Sequence, residues 1–267
     1  MQYFIKNFQN LNSFSSYLKD TPVNTAVFPW PQSINEGPDY RKWSSTDSMS
    51  AADELLRYGD KKNARRIIEV SAPGHISAQD IKPRRERSVY GGAVNVGAAL
   101  SGRPKAMYRN VMKKTDTKVL NFIYNVSVSW KIKPAQIAEV AARLTSAICG
   151  IEKKGYRVNL YVCKVSKEAS EVAGIFVKIK DSGTYMDKVK MAYPLINPSM
   201  LRRQMFAALE RSEVTERSWG DDYGCCADDD TEAEAARRAG INARRIVNYN
   251  KLSDMDTAQI IDYLMKD

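Results

Sequence analysis

The sequence predicts an α/β protein whose sheet is at least partly parallel. Three segments favour strands because they are rich in β-branched and aromatic residues: VLNFIYNVSV from residue 119, RVNLYVCKV from residue 157 and GIFVKIK from residue 174. Helical patterns lie between the first two strands and after the third. Strands that alternate with helices are typical of parallel sheets, whose binding sites lie beyond the carboxyl ends of strands.

Two short helices are predicted before this alternation begins. The first 45 residues hold a stretch of mixed apolar and polar residues and then an irregular proline-rich connector, FPWPQSINEGPDY. Ser48 or Ser50 then caps a helix through AADELLRY, which ends at Gly59. A second helix covers residues 61–70, with Ala64, Ile67 and Ile68 on one side and its basic residues mainly on the other.

Residues 82–109 combine arginines with glycines and two tyrosines. The glycines follow neither G-x-G-x-x-G nor G-x-x-x-x-G-K-[ST], and no clear strand leads into them. A phosphate-binding loop is therefore the weaker interpretation. The pattern favours a short packed helix from Val94 to Leu100, entered and left through glycine.

The later helices have recognisable ends. Pro134 suits the first turn of a helix that runs to about Lys154, and Gly155 stops it. Another helical stretch is predicted around MDKVKMAY, after the third strand. Asn197-Pro198, a cap followed by proline, then starts a helix through SMLRRQMFAALER.

The helix that follows this proline carries two adjacent arginines. Leu201, Met205 and Leu209 form its apolar face. We expect Arg202 and Arg203 to be exposed beside this stripe, because arginine on a surface helix usually faces water.

Residues 213–267 form a tail. Its first part, up to Asp230, is acidic and contains glycine, which favours a linker. TEAEAARRA predicts a helix that ends at Gly240, and Ser253 with Asp256 has the spacing of a capping box for a last helix, DMDTAQIIDYLMK. The chain is thus predicted to divide into a helical and irregular basic region at 1–117, an α/β domain at 118–212 and this tail.

Composition indicates a cytoplasmic protein without a membrane partner. No apolar run reaches the roughly 18 to 20 residues of a membrane span, and MQYFIKNFQNLNSF lacks the pattern of a signal peptide. Cysteines provide no spaced disulfide or zinc framework, since two of the four, Cys225 and Cys226, are adjacent. Structural thiols are the favoured interpretation.

The net charge of +10 comes from one segment. Residues 57–118 hold 15 Lys/Arg and 5 Asp/Glu, a balance of +10, so the rest of the chain is neutral. Arginine makes bidentate phosphate contacts, and bases stack on tyrosine, so the segment predicts nucleic-acid contact. The residues predicted to make it are Arg65, Arg66, Arg84, Arg85, Arg87, Tyr90, Arg103, Lys105, Tyr108 and Arg109. A solvated surface, or one that meets an acidic protein, is the alternative.

Asn125, Ser127 and Ser129 stand at alternate positions at the end of the first predicted strand. Alternate residues of an extended segment point the same way, so their oxygens are expected to converge. The motif resembles the Asp-x-Ser-x-Ser of von Willebrand factor A domains, which implies that fold and a divalent-cation site. Asparagine here removes a charge that Mg²⁺ or Ca²⁺ favours, and nearby lysines oppose a cation. No cofactor is therefore expected, with Mg²⁺ or Ca²⁺ as the open alternative.

A second resemblance covers roughly residues 45–211. The segments SMSAADELLRYG, GGAVNVGAALSGRPKAM, KKGYRVNLYV and VKIKDSGTYMDKVKMAYPLINPSMLRRQMFAALE, in this order, resemble an uncharacterised family encoded mainly by tailed bacteriophages. The resemblance implies a phage protein with a von Willebrand A-like carboxyl half, located in the cytoplasm of the infected cell. It implies no activity.

Catalysis finds little support. His75 is the only histidine and is predicted to lie in a loop after proline and glycine, with no nucleophile motif around it. The paired carboxylates of Asp221 and Asp222 lie in the predicted linker, where nothing would hold them in a reacting geometry. We therefore expect no catalytic residues and no enzyme.

The favoured function is that of a non-enzymatic phage accessory protein that binds nucleic acid, in single-stranded form or within a nucleoprotein complex. The alternative is a von Willebrand A-like adaptor or structural component that holds a protein partner at Asn125, Ser127 and Ser129. A further hypothesis is that Asp228, Asp229 and Asp230 fold back onto the basic segment and compete with nucleic acid.

Overall fold

The computed structural model describes residues 1–70, 84–90, 92–111, 118–129, 131–223 and 225–266. The chain divides into two compact units. The large unit combines Met1–Gly74 with Val119–Asp267, and the small unit is His75–Lys118. These boundaries differ from the three segments predicted from the sequence, because both ends of the chain belong to the large unit.

The strands are numbered in chain order. They are β1 (Gln2–Phe8), β2 (Arg84–Ser88), β3 (Ala93–Val94), β4 (Met107–Val111), β5 (Val119–Asn125), β6 (Arg157–Glu168), β7 (Glu171–Lys180), β8 (Cys225–Cys226) and β9 (Arg245–Asn248).

The helices are numbered in chain order as well. They are α1 (Leu11–Asp20), α2 (Pro38–Ser44), α3 (Met49–Tyr58), α4 (Lys61–Val70), α5 (Val96–Leu100), α6 (Pro134–Lys153), α7 (Lys188–Ile196), α8 (Phe206–Leu209), α9 (Trp219–Asp222), α10 (Asp229–Arg238), α11 (Tyr249–Leu252) and α12 (Thr257–Met265). A 3₁₀ turn covers Gln32–Ile34, and a π-helix covers Met200–Met205. None of the helices in the described part of the chain has the length and apolar character needed to cross a bilayer.

A mixed, mostly parallel sheet forms the centre of the large unit. Its strand order is β1-β7-β6-β5-β9, with β8 added against β6. The pairs β1/β7, β5/β6 and β5/β9 are parallel, whereas β6/β7 and β6/β8 are antiparallel. The predicted α/β class with a partly parallel sheet is therefore confirmed.

Helices flank the sheet because its strands are apolar on both faces. On one face, Ile123, Tyr161 and Cys163 form a buried cluster with Ala235 and Ala236 of α10. The alternating positions, among them Phe122 and Leu160, are fully buried as well. α6 packs on β6, and α4, α7 and α12 pack against α6. Strands covered on both faces in this way read as nearly continuous apolar runs.

Local signals placed several helices correctly. The hydroxyl of Ser48 accepts from the backbone N–H of Ala51 at 3.1 Å, which caps α3 as predicted. Gly59 ends α3 with φ of +82°, and a Cβ there would lie 2.6 Å from the carbonyl oxygen of Val189. The last helix is different: Asp256, not Ser253, caps α12 and forms the capping box with Gln259.

The acidic stretch from residue 213 is not a loose linker where the structure describes it. Trp219 is fully buried, and its indole N–H donates to Oε2 of Glu171 at 2.9 Å. The hydroxyl and the backbone N–H of Thr215 donate to the same carboxylate. The stretch is therefore attached to the sheet at the start of β7.

Arg202 and Arg203 are buried, so the expectation that they are exposed is wrong. The Arg203 guanidinium donates to the hydroxyl of Thr46 at 2.8 Å, to the carbonyl of Thr46 at 2.9 Å and to the carbonyl of Ser33 at 2.9 Å. Arg202 lies over the ring of Trp43, with its guanidinium carbon 4.4 Å from the ring centroid. The arginines face inward because the connector before α3 packs over this helix and offers carbonyls that need donors.

Candidate nucleic-acid interface

The small unit contains a three-stranded antiparallel sheet in the order β2-β4-β3. Between β3 and β4 lies α5, whose first turn is capped by Asn95: its side-chain oxygen accepts from the backbone N–H of Ala98 at 3.1 Å. The predicted short helix is present, but it begins at Val96, because Ala93 and Val94 pair with β4. The predicted basic and aromatic residues of this unit lie on its strands and in the segments that connect them.

One face of this sheet carries Arg87 and Tyr108. The two residues are direct cross-strand partners of β2 and β4, so they lie on the same side. Arg87 is exposed, whereas Tyr108 is partly buried. The Tyr108 hydroxyl accepts from the side-chain amide of Asn95 at 2.7 Å, which fixes the ring. Tyr108 thus has a structural contact and lies beside the exposed side chain of Arg87.

The opposite face carries Arg109 and Tyr90. Arg109 follows Tyr108 along β4 and therefore points to the other side. Its Nη1 donates to the Tyr90 hydroxyl at 2.9 Å, and its guanidinium carbon lies 5.6 Å from the centroid of that ring. Tyr90 is 68% exposed, and Arg109 is exposed too. This pair offers a positive charge and an accessible aromatic ring side by side.

The other predicted residues of the small unit are arranged around this sheet. Arg103 and Lys105 are exposed in the segment that leads from α5 to β4. Arg84 and Arg85 pair through their backbones with Val111 and Asn110, and their side chains lie outside the described part of the structure.

Arg65 and Arg66 belong to the large unit and not to this sheet. Both are exposed on α4, while Ala64 and Ile67 of the same helix are buried against α6 and α7. The amphipathic pattern predicted for this helix is therefore confirmed for Ala64 and Ile67, whereas Ile68, expected on the same apolar side, is 52% exposed. The basic segment that is continuous in sequence is divided between two folded units.

The small unit also exposes apolar side chains that the sequence reasoning missed. Val89 is 70% exposed, Val94 55%, Val96 64% and Leu100 85%. The available signal was the sequence itself: these residues alternate with glycine, alanine and asparagine and have few larger apolar neighbours with which to form a core.

The strand-end motif at Asn125 has a different geometry from the converging oxygens expected from the sequence. β5 ends at Asn125, so Ser127 and Ser129 lie in the segment that follows the strand. Asn125 is 2% exposed, and its side-chain oxygen accepts from the backbone N–H of Ser127 at 2.8 Å. Ser129 is exposed, and its hydroxyl accepts from the backbone N–H of Lys131 at 3.3 Å. The buried side chain of Asn125 thus fixes the start of the loop that follows β5.

Glu232 of α10 lies beside Asn125, and the sequence did not indicate that it belongs to this site. The side-chain amide of Asn125 donates to its Oε1. Burial raises the pKa of Glu232, and the hydrogen bond from Asn125 and the charge of Lys251 partly oppose that shift. Within the described residues, no group of three or more His, Cys, Asp or Glu side chains is arranged to hold a metal ion.

The side chains that were considered for catalysis lie outside the part of the chain that the structure describes. His75 lies outside the described residues. Asp221 and Asp222 lie in α9, a single helical turn, and their side chains lie outside the described part.

Comparison with known proteins gives one match. A family model described as "Domain of unknown function (DUF7192)" matches residues 2–264, nearly the whole chain. No curated protein and no solved structure matches significantly.

Proposed function

We propose that this chain, which belongs to the DUF7192 family, is a non-enzymatic protein that binds nucleic acid through the three-stranded sheet of its small unit. The bacteriophage resemblance supports an accessory role during infection, in the cytoplasm of the host cell. The small unit, residues 75–118, holds 10 Lys/Arg and 3 Asp/Glu, and this positive balance supplies the electrostatic attraction to phosphate.

The observation that carries this proposal is the pairing of Arg109 with Tyr90. The Tyr90 ring is 68% exposed although it has a large apolar surface, and the Arg109 guanidinium is 2.9 Å from its hydroxyl. A base that stacks on this ring would bring its own phosphate close to Arg109. Stacking on aromatic rings contributes about 1–3 kcal/mol per base.

Single strands fit this arrangement better than duplexes. Stacking on Tyr90 requires an exposed base face, and in a duplex those faces are covered by neighbouring base pairs. The opposite face offers Arg87, but Tyr108 there is partly buried and tied to Asn95. We therefore assign base stacking to Tyr90 and phosphate contact to Arg109, with Arg87 as a contact on the second face.

The test is fluorescence anisotropy with labelled single-stranded and duplex DNA and RNA across a salt series. Arg109→Ala should weaken single-strand binding and reduce the slope of log affinity against log salt by about one, as expected when one phosphate contact is lost. Arg87→Ala measures the contribution of the other face. Arg217→Ala is the charge-matched control, because Arg217 is exposed in the large unit. No binding at low salt, or an equal loss in the control, would refute the proposal.

A second candidate is a von Willebrand A-like adaptor that holds a protein partner at the strand end. β5 has parallel neighbours on both sides, β6 and β9, and is followed by α6, which is the position where open α/β sheets bind ligands. Ser129 is the exposed member of the motif. A partner retained at moderate salt and lost on Ser129→Ala would favour this function, with Mg²⁺ or Ca²⁺ dependence as a separate outcome.

A further inference from the structure

A cavity in the large unit lies between α4, the start of α6 and the end of α7. It has a volume of about 330 Å³, and its wall is mostly apolar. The wall includes side chains of α4, Pro134 at the start of α6 and the segment 196–198 at the end of α7. Ligand pockets usually measure about 300–1,000 Å³, so this cavity has the size for one small molecule.

The floor of the cavity is buried and offers apolar surface. Ile196 is 1% exposed, and Pro198 is buried as well. Both residues line the cavity where α7 ends. A floor of this kind favours a ligand with an apolar body, because contact removes apolar surface of both partners from water.

Two cationic side chains stand at the opening. Lys62 and Arg66 are four residues apart on α4 and line the cavity from the same face of that helix. Both are exposed, and neither side chain has an ion-pair or hydrogen-bond partner within the described residues. A guanidinium with its fork of donors and an ammonium with its point charge together suit a phosphate group.

Asp60 is the only acid among the described residues of this wall, and its charge is already satisfied. It is 4% exposed, and its Oδ1 accepts from the backbone N–H of Asn63 at 3.0 Å. Its Oδ2 accepts from the side-chain amides of Asn63 at 2.6 Å and of Asn197 at 3.0 Å. The cavity therefore has no unmet need for a cation, and the charge left at its opening is positive.

The remaining charges of α4 strengthen this positive field. Lys61 and Arg65 are exposed, and their side chains have no partner within the described residues either. Glu69, the one acid of the helix, lies near its other end. Four basic residues against one acid attract an anion to this helix and to the cavity beside it.

Two polar atoms at the opening are also available to a ligand. The Ser45 hydroxyl makes no hydrogen bond within the described residues. Asn63 turns its amide nitrogen towards Asp60, so its side-chain oxygen is the end that is left to accept. These atoms can pair with hydroxyl or amino groups at the edge of a ligand whose body covers the floor.

We propose that this cavity binds a nucleotide with a terminal phosphate. The phosphate lies between Lys62 and Arg66, and the base covers Ile196 and Pro198. A nucleotide matches the wall because it joins an anionic phosphate to a base with apolar faces and a polar edge. It is either a free nucleotide or the 5′-terminal unit of a strand.

This site is separate from the proposed nucleic-acid interface. The described residues that line the cavity all belong to the large unit, whereas Tyr90 and Arg109 belong to the small unit. Either site can therefore fail experimentally without the other.

The test is isothermal titration calorimetry on the full-length chain without nucleic acid. The probes are the 5′-monophosphates of adenosine, guanosine, cytidine and uridine. The controls are the matching nucleosides, inorganic phosphate and phenyl phosphate. At least one monophosphate should bind saturably and at least about tenfold more tightly than every control, because only a nucleotide meets the cations, the floor and the polar atoms together.

Competition against the tightest monophosphate distinguishes the two sources. The competitors are one oligonucleotide with a 5′-phosphate and the same oligonucleotide with a 5′-hydroxyl. Displacement by the phosphorylated strand alone indicates a strand end, and displacement by neither indicates a free nucleotide. Equal displacement by both would overturn the requirement for a terminal phosphate.

Three variants connect this binding to the cavity. Arg66→Gln should weaken nucleotide binding at least about tenfold, since it removes the charge and the fork of donors. Lys62→Gln should weaken it as well. Lys61→Gln is the matched control, because Lys61 is the adjacent exposed lysine of α4 and does not line the cavity; it should stay within about twofold of the wild type.

Circular dichroism establishes that these exposed substitutions leave the chain folded. The proposal is overturned if no monophosphate binds in the millimolar range, if inorganic phosphate or phenyl phosphate binds as tightly, or if Lys61→Gln loses as much as Lys62→Gln. It is also overturned if Arg109→Ala abolishes nucleotide binding while Arg66→Gln does not, since the nucleotide would then lie on the small unit.

Discussion

Asn125 donates its side-chain amide to Glu232 while its side-chain oxygen accepts the backbone N–H of Ser127. One neutral side chain thus connects the carboxyl end of β5 to α10 and to the loop before α6. An aspartate at this position would keep the acceptor for Ser127 but would lose the donor for Glu232. The contact therefore explains why a neutral amide suits the position in this fold.

Asn125→Asp should lower the free energy of unfolding at pH 7 by about 3 kcal/mol, since it places two buried carboxylates in contact. The pair would share a proton in the folded state, so its pKa is raised and stability returns as the pH falls towards 5. Urea unfolding at both pH values measures the effect. Adding Glu232→Gln to Asn125→Asp should restore stability at pH 7; if it does not, the two side chains do not interact.

Glu171 should stabilise the protein mainly above its unfolded pKa. Burial raises the pKa of this carboxyl, but the hydrogen bonds from Thr215, Glu216 and Trp219 outweigh burial and lower it overall. A lowered folded pKa contributes stability that is present above about pH 4.3 and lost as the pH falls through the folded value.

Glu171→Gln should therefore cost about 1–3 kcal/mol at pH 7, and the difference from the wild type should shrink in acid. Urea unfolding followed by tryptophan fluorescence, repeated from pH 7 down to pH 3, gives this difference. Glu213→Gln, at an exposed carboxylate, should show no such pH-dependent difference. An effect of Glu171→Gln that stays constant with pH would mean that the carboxylate charge is not involved.

Arg203→Lys should be strongly destabilising even though it keeps the charge. The guanidinium makes separate hydrogen bonds to Thr46 and Ser33 through different nitrogens, which one ammonium cannot reproduce. We expect a loss of about 2–4 kcal/mol in the free energy of unfolding. Arg217→Lys, at an exposed arginine, is the matched control and should be near neutral. Equal stabilities for the two variants would contradict the buried role of Arg203.

The sequence predicted those elements whose signals are local. Ser48 and Gly59 bound α3, and Pro134 starts α6, because caps, glycine and proline act on the residues next to them. The three long strands β5, β6 and β7 were predicted for a similar reason, since burial on both faces makes each one rich in apolar residues.

Features that depend on distant partners were missed. β9 has only four residues, begins with arginine and is a strand because it pairs with β5. Arg203 and Glu232 resemble surface residues in sequence, and only the folded chain brings them to Thr46 and Asn125. The same reason applies to the small unit, where strand register decides that Arg87 and Arg109 lie on opposite faces.

The role of Tyr90 can be separated from that of Arg109 by two substitutions at one position. Tyr90→Phe keeps the ring and removes the hydroxyl that accepts from Arg109, whereas Tyr90→Ala removes both. If bases stack on the ring, Tyr90→Phe should bind single strands within about 0.5 kcal/mol of the wild type, and Tyr90→Ala should lose about 1–3 kcal/mol. Neither should change the salt slope, because no phosphate contact is removed. Equal losses for both variants, measured by anisotropy at fixed salt, would instead mean that the hydroxyl acts by positioning Arg109 and that the ring does not stack.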